Sequence, residues 1–572
     1  MKYSFLVCMA LLSYSLYAQN LMINNATIID VHTGELVEKQ QLLIENGVIT
    51  KISKKALKNK NKYQVIDVNG KYLMPGMIDT HIHFFQTGSL YTRPDAIDLT
   101  SVVSYEEELA FAEELVNDSF KRYLRLGITT VMDVGGPFSN FKVRDTIAAE
   151  NTSPNVYVTG PLFSPYQPEA LAKTADVPIA KITSIEDATA LFNKMLPYKP
   201  DFIKIWYIAS PEIPAEKTYP IVKHIAQLAH DNSLKLAVHA TQLNTAILAV
   251  KAGADILVHS VDDKEVTEEF AQLLKENNVT YVPTLIVSKN YFTSFTGTPS
   301  NHAQDLNFAN PKTYRSLTDV QRYTKETMPA VLKRFQGNTD GFLKYYDANT
   351  VLMNKNLKFL QEQGVNIATG TDAGNIGTMH ASSYLQEIEA MEKGGLTSLQ
   401  LLKAATINAA RGFGLENILG SIKEGKVADI IILDENPITD IQNLTTIESV
   451  IKDGAILKVS DIIKETPEQI VQRQVNAYNA RDIDAFIATY ADDVEFFNFP
   501  NEPGSKGKEA LRNQFNAMFK RVPNLYCEIK KRIVIGNKVI DREHVRFGDQ
   551  YSDVVAIYEI ENGKISKVTF LE

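Results

Sequence analysis

The sequence predicts an α/β fold: a (β/α)8 TIM barrel with a small composite β-sandwich domain beside it and an α+β unit at the C-terminal end. Three observations predict this. Eight short apolar runs alternate with helical patterns, and eight is the number that closes such a barrel. The stretches flanking them share another texture, strand-like runs punctuated by Asn46-Gly47 and Asp453-Gly454. Three of the eight runs end in a histidine and an acid follows the last, at the place where barrel enzymes build their sites.

Taken in order, residues 1–18 read as a secretory signal peptide. Lys2 is the basic side chain, Phe5 to Tyr17 the mostly apolar run, and Ala18 the residue before the cut. Leu16 is larger than an ideal cleavage site carries, and Cys8 stands too early for a lipid-attachment cysteine. The run is too short to span a bilayer comfortably, so a secreted or periplasmic protein free of the membrane is expected. Once Cys8 leaves, Cys527 is the only cysteine, no intramolecular disulfide can form, and Cys527 is expected to act as a small apolar residue.

Residues 19–75 carry the strand-like Leu21–Ile23, Thr27–Ile29, Leu42–Ile44 and Val48-Ile49. Residues 418–460 repeat that texture in Asp429–Leu433 and Val450–Gly454, and the two ends are expected to pair into one β domain. Residues 76–417 hold the barrel runs: Met77–His83, Thr129–Val134, Val156–Thr159, Phe202–Trp206, Leu234–His239, Ile256–His259, Tyr281–Leu285 and Val365–Thr369. The gap after Leu285 exceeds one helix and predicts a helical excursion over about Phe292 to Gly341, either a lid or wall of the site or a surface insertion. In residues 461–572, helices are expected over Thr466–Ala480, Asp484–Ala491 and Gly507–Phe519, followed by a meander turning at Gly536-Asn537 and Asn562-Gly563.

At 572 residues, 44% hydrophobic and 22% charged, the chain has the balance of a multidomain globular protein. A formal charge of −9 argues against nucleic acid or an anionic membrane as its main partner. A small molecule or short peptide is the expected substrate, and a homo-oligomer the expected assembly.

His81 and His83 are two apart on one strand, so both side chains face one way. His239 ends the run Leu234–Val238, His259 ends Ile256–Val258, Asp372 follows Val365–Thr371, and Lys204 lies within Phe202–Trp206. In a barrel these strand ends meet on one face. Four imidazoles exceed what one ion ordinarily needs, and with the oxygen ligand they suit two divalent metals.

The chain resembles the amidohydrolase superfamily, in particular its imidazolonepropionase-like and Xaa-Pro dipeptidase-like branch. The matching pieces include Pro75–His83, Gly127–Asp133, Phe202–Ile205, His239-Ala240, His259, Thr369–Ala373, Ala404–Asn408 and Gly420–Asp429, within residues 21–458. The resemblance implies that His81, His83 and Asp372 bind the more buried metal, that His239 and His259 bind the second, and that Lys204 bridges both as an N-carboxylated lysine. An unmodified Lys204 beside a single ion is the alternative. Zinc is the expected metal. A metal-bridging hydroxide would attack the carbonyl of a C–N (amide) bond in a small peptide or cyclic amide, with Asp372 as the catalytic proton carrier. Ester or lactone hydrolysis, or an inactive binding protein, are the competing readings. His380, Tyr207 and Arg93 follow the barrel strands and are expected to meet the substrate, Arg93 through its bidentate fork.

Residues 466–572 resemble the nuclear transport factor 2-like, ketosteroid-isomerase-like cone fold, also called SnoaL-like, through Tyr478–Phe486, Tyr490–Phe496 and Gly507–Leu511. Its last strands would line a pocket or a dimer face, and Arg542, His544 and Arg546 share one strand face. No acid pair of the isomerase kind is recognisable in the pattern.

Overall fold

The structure, a computed structural model, describes residues 20–56, 60–147, 152–298, 303–323, 326–522 and 524–571. The expected signal peptide, residues 1–18, lies outside the described residues. Among those described, no helix is long and apolar enough to cross a membrane.

The two ends of the barrel segment share one eight-stranded sheet. Leu21–Ile29, Leu36–Glu45, Val48–Ser53, Gln64–Asp67 and Tyr72–Pro75 join Ile430–Leu433, Ile447–Lys452 and Ala455–Lys458. The seam is antiparallel, with Leu73 opposite Ile432 and Met74 opposite Ile431. Its core contains Leu21, Ile23, Leu42, Leu73 and Ile430. Asn46 and Gly47, at φ 51° and 76°, turn the hairpin between the second and third strands as the tight mirror-image turn requires.

All eight expected barrel strands are present, several shortened: Met77–Ile82, Ile128–Asp133, Asn155–Val158, Ile203–Trp206, Leu236–His239, Ile256–Val258, Thr280–Val282 and Asn366–Ile367. They form two parallel arcs, the first three strands in one sheet and the last five in another. Individual hydrogen bonds join the arcs where ladders are absent among the described residues. At one seam, Thr80 N donates to Thr369 O (3.1 Å), Asp372 N to His81 O (2.7 Å) and His83 N to Ala373 O (2.8 Å). At the other, Asp201 N donates to Val158 O at 2.9 Å. Between the arcs' third and fourth strands, Leu162–Ser164 and Ile179–Lys181 extend the larger sheet.

The excursion begins earlier than the sequence suggested, at helix Val287–Phe295, and continues through Ala303–Phe308, Pro311–Thr318 and Ala330–Gln336 into Thr339–Glu362. In the C-terminal unit, helix Pro467–Ala480 starts on a capping box, Thr466 with Gln469, and has Pro467 at its first turn. The second helix is Ile483–Ala488 rather than 484–491. Tyr490–Asn498 is a strand, paired parallel with Lys564–Leu571 and antiparallel with Glu502–Lys506. Buried Val494 and Phe496 flank half-buried Glu495 in the strand's two-residue period, which overrides the helical reading. The third helix, Lys508–Arg521, then leads into the strands Tyr526–Ile535, Lys538–Phe547 and Gln550–Glu561 of the six-stranded sheet.

This unit packs on the excursion. Asn476 Nδ2 donates to Pro311 O at 2.8 Å and the Arg473 guanidinium to Leu306 O. One apolar core runs from Ile470, Val471 and Ala477 through Leu306, Tyr314 and Leu317 to Leu90 and Tyr91 of the loop after the first barrel strand.

Candidate metal centre

Strand ends place six side chains around one cleft of about 230 Å³. His81, His83, Lys204, His239, His259 and Asp372 all line it. Asp372 Oδ1 lies 3.2 Å from His81 Nε2 and 3.1 Å from His83 Nε2, and Oδ2 lies 3.9 Å from His259 Nε2. The His239 and His259 rings stand edge-on at 4.4 Å between centroids, with His81 at 4.9 Å from His259. His81, His259 and Asp372 each offer one ligand atom within 4.8 Å of the others.

Two ligand candidates and one of their partners sit in left-handed backbone: His259 at φ 77°, Asp372 at 62° and Thr284 at 43°. Such strain costs on the order of 1–3 kcal/mol per residue and persists only where the surroundings enforce it. Gly374, at φ 106°, shows how tight the turn is: a Cβ there would lie 2.3 Å from the His83 carbonyl oxygen.

The donor set fits a divalent cation. Both ring nitrogens of His81, and Asp372 Oδ1, are buried without a hydrogen bond among the described residues. Buried polar atoms are rarely left so, and a cation would satisfy Asp372 Oδ1 and one His81 nitrogen. Burial, then the nearby Lys204 amine, hold His81 and His239 well below the usual imidazole range. Burial, His239 and Lys204 do the same for His259. The imidazoles are therefore neutral, as ligands must be. Burial likewise pulls the Lys204 amine down to about 7, against the opposing pull of Asp372.

Outer groups orient these ligands. His83 Nδ1 donates to Gly135 O at 2.7 Å, and His259 Nδ1 shares a 2.7 Å hydrogen bond with Thr284 Oγ1. Three buried acids, which the sequence reading assigned no role, brace the loops. Asp79 accepts from Thr371 Oγ1 (2.8 Å) and N (3.1 Å); burial raises it to about 7. Asp133 accepts from Phe84 N, Gly135 N and Asn140 Nδ2, and burial raises it to about 6. Glu387 accepts from Leu285 N and Ile286 N, and burial raises it to about 8. The first two had a signal: Asp79 shares the strand face of His81, and Asp133 is the one acid in the run Thr129–Val134.

Of the three expected substrate residues, one reaches the cleft. Arg93 lines it, gripped by Asp95 through Nε (2.8 Å) and Nη2 (2.6 Å). Its Nη1 donates to Asn375 Oδ1 at 2.6 Å and to Tyr291 OH at 3.2 Å, while Asn375 Nδ2 donates to Asp372 O at 3.1 Å. Burial pushes Asp95 up, but the Arg93 charge more than reverses this and holds its carboxyl below the ordinary range. His380 and Tyr207 do not line the cleft. His380 is buried with Nε2 donating to Gln86 O (2.8 Å) and Nδ1 bonded to Tyr123 OH (3.1 Å). Tyr207 OH donates to Ala215 O at 2.7 Å inside the core. Both follow barrel strands, but loop position does not fix which way a side chain turns, and each ring found its partners in the protein. Tyr291, Trp206 and Asn375 line the cleft instead.

The model of the amidohydrolase family matches residues 72–457, more than half of the chain, and that of the SnoaL-like domain matches 471–568. The chain therefore belongs to the amidohydrolase family and carries a SnoaL-like domain behind its catalytic-type barrel. It is 31% identical to the ochratoxinase of Aspergillus niger over 215 residues, 37% of this chain and 35% of that protein, so this match spans about a third of the relative's length. It is 24% identical over 467 residues to a 5-methylthioadenosine/S-adenosylhomocysteine deaminase of Caldicellulosiruptor saccharolyticus, covering 76% of this chain and 89% of that one. Among solved structures it resembles a Xaa-Pro dipeptidase with methionine bound in its active site (TM-score 0.58, 23% identity, 77% of this chain, 100% of that one). It also resembles the A. niger ochratoxinase (TM-score 0.57, 22% identity, 77% and 96%). These last two likenesses show the shared fold.

Proposed function

We propose that the chain is a metal-dependent hydrolase that cleaves the C–N bond of an amide in a small peptide or cyclic amide carrying a carboxylate. The convergence of His81, His83, His239, His259, Lys204 and Asp372 on one cleft, with His81 and Asp372 Oδ1 left buried and unpartnered, carries the reading. His81, His83 and Asp372 would hold one divalent ion and His239 and His259 a second, zinc in our reading. When bound, such ions supply Lewis acidity toward a carbonyl and lower the pKa of water.

The chain's own residues do the rest. An amine near neutrality is partly uncharged, so Lys204 Nζ adds to CO₂, loses a proton and becomes an anionic carbamate between the two ligand groups. Asp372 takes up a proton at its carboxylate and delivers it to the leaving nitrogen. Arg93, preset by Asp95, offers its guanidinium to the substrate carboxylate. Membership of the amidohydrolase family and the match to an ochratoxinase support hydrolysis of a C–N bond.

Metal analysis combined with turnover on Xaa-Pro dipeptides, N-acyl amino acids, hydantoins and lactones tests the proposal. Two ions per chain and turnover on carboxylated amides are expected. Turnover confined to lactones would move the activity to esters, and one ion per chain with Lys204→Ala leaving that count unchanged would remove the bridge.

A further inference from the structure

We propose that the substrate is an N-acyl amino acid with a long aliphatic chain, and that this chain passes Phe85 into a second cavity outside the barrel. The inference rests on the hydrolase reading above and adds the acyl side of its substrate. The second cavity, of about 580 Å³, lies between helix Tyr105–Arg125 and helix Ser139–Ile147. Small-molecule pockets span about 300–1,000 Å³. Phe84, Leu109, Ala112, Val116, Val143 and Ile147 give it apolar walls. Its charged groups are exposed or engaged. Glu113 and Lys142 are exposed, and the Asp176 carboxylate accepts from Phe138 N at 2.9 Å and Ser139 N at 2.8 Å.

The partition between this cavity and the metal cleft is thin. Half-buried Phe85 lines both, and its ring meets that of His83 edge-on at 6.2 Å. Beside it run Gly135 and Gly136, which have no side chains to thicken the wall. A Cβ at Gly135 would lie 2.1 Å from Leu162 Cδ2, on the cleft side. One at Gly136 would lie 2.1 Å from Asn140 Nδ2, on the outer side, and 3.1 Å from the Phe85 ring. The glycine backbone is pinned, Gly135 O by His83 and Gly136 N by Gly160 O at 3.1 Å. The Phe85 ring is therefore the movable part, and its rotation joins the two cavities.

Polarity decides which half of the substrate lies here. Arg93, the group for the carboxylate, is held by Tyr291 and Asn375, in the loops after the seventh and eighth barrel strands. Phe85 stands against Gly136, after the second strand, and Leu162 and Ile179, after the third, continue the apolar wall. Among the described residues Asp372 is the sole carboxylate lining the cleft, and it belongs to the ligand cluster. A free ammonium beside the scissile carbonyl would meet no counter-charge, whereas an acyl chain needs none. Hydrolysis adds water across the C–N bond and releases the fatty acid and the amino acid.

The test uses the full-length, metal-loaded protein with N-acetyl-, N-hexanoyl- and N-decanoyl-alanine. From hexanoyl to decanoyl, kcat/KM should rise about a hundredfold, roughly threefold for each methylene buried. Val143→Trp, in the outer cavity and away from the metal cleft, should erase that gain and leave N-acetylalanine turnover unchanged. Decanoyl-alanine with a diazirine at the chain end, irradiated on the wild-type protein, should label residues 109–117 or 143–147. Turnover of N-acetylalanine with no gain from chain length, a gain that survives Val143→Trp, or labelling confined to the cleft would each overturn the inference and leave the hydrolase reading intact. Absence of turnover on all three substrates would overturn the hydrolase reading and this inference with it. If Val143→Trp does not fold, the labelling decides alone.

Discussion

His83 donates its Nδ1–H to the carbonyl of Gly135 at 2.7 Å, a bond that orients the ring with Nε2 3.1 Å from Asp372 Oδ1. His259 is held in the same manner by Thr284, whose backbone is itself left-handed. Partners of this kind orient a ligand, and their loss typically costs about 10–100-fold in metal affinity. Thr284→Val keeps the β-branched shape and removes the hydroxyl. We expect it to lower metal affinity by that order, read from competition with a chelator, with the circular dichroism spectrum unchanged.

Asp372 is expected to carry the proton of the reaction. Asp372→Asn keeps an oxygen toward the ligand cluster but has no carboxylate to protonate. Turnover should fall by about 10²–10⁴-fold while much of the bound metal remains. Unchanged turnover with full metal content would exclude the role.

Arg93 is tied to Asp95, Tyr291 and Asn375, so its charge is fixed in place before any substrate arrives. Arg93→Lys keeps a cation for Asp95 but loses the planar fork. For a carboxylated amide, KM should rise roughly tenfold or more, and for its uncharged amide analogue it should change little. A loss equal for both substrates would mean that Arg93 only supports the loop.

Asp305 gives a pH signature remote from the metal cleft. It accepts from Ser382 Oγ and Gln386 Nε2, and burial raises its carboxyl from 3.8 to about 7. Because the folded state holds this proton more tightly than the unfolded state, the contribution is complete below about pH 4 and is lost as pH rises through about 7. Between pH 5 and 7 the loss is on the order of 2–3 kcal/mol. The wild-type Tm should therefore fall over that interval more steeply than that of Asp305→Asn; parallel profiles would refute the assignment.

The sequence made the barrel legible because each strand is a short apolar run, and three of those runs end in a histidine that breaks the pattern. His81, His239, His259 and Asp372 were readable for the same reason, being polar where an apolar neighbour was due. Glu387 carried no such mark. It lies in a helix, Ser382–Lys393, and only the approach of the 285–286 backbone makes its carboxylate a brace. His380 was misplaced since loop membership says nothing of a ring's direction, and its partners Tyr123 and Gln86 lie more than 250 positions away.

The apolar seam from Ile470 and Val471 through Leu306 and Leu317 to Leu90 also bears on how the molecule comes apart. Surface shared in this way cannot be opened on one side alone, because separation would wet both faces at once. The barrel's excursion and the C-terminal unit should then melt as one cooperative block. Amide hydrogen exchange would show helix Pro311–Thr318 and helix Pro467–Ala480 losing protection together. Excising residues 466–572 would in turn wet the apolar flank that includes Leu306, Leu317 and Leu90.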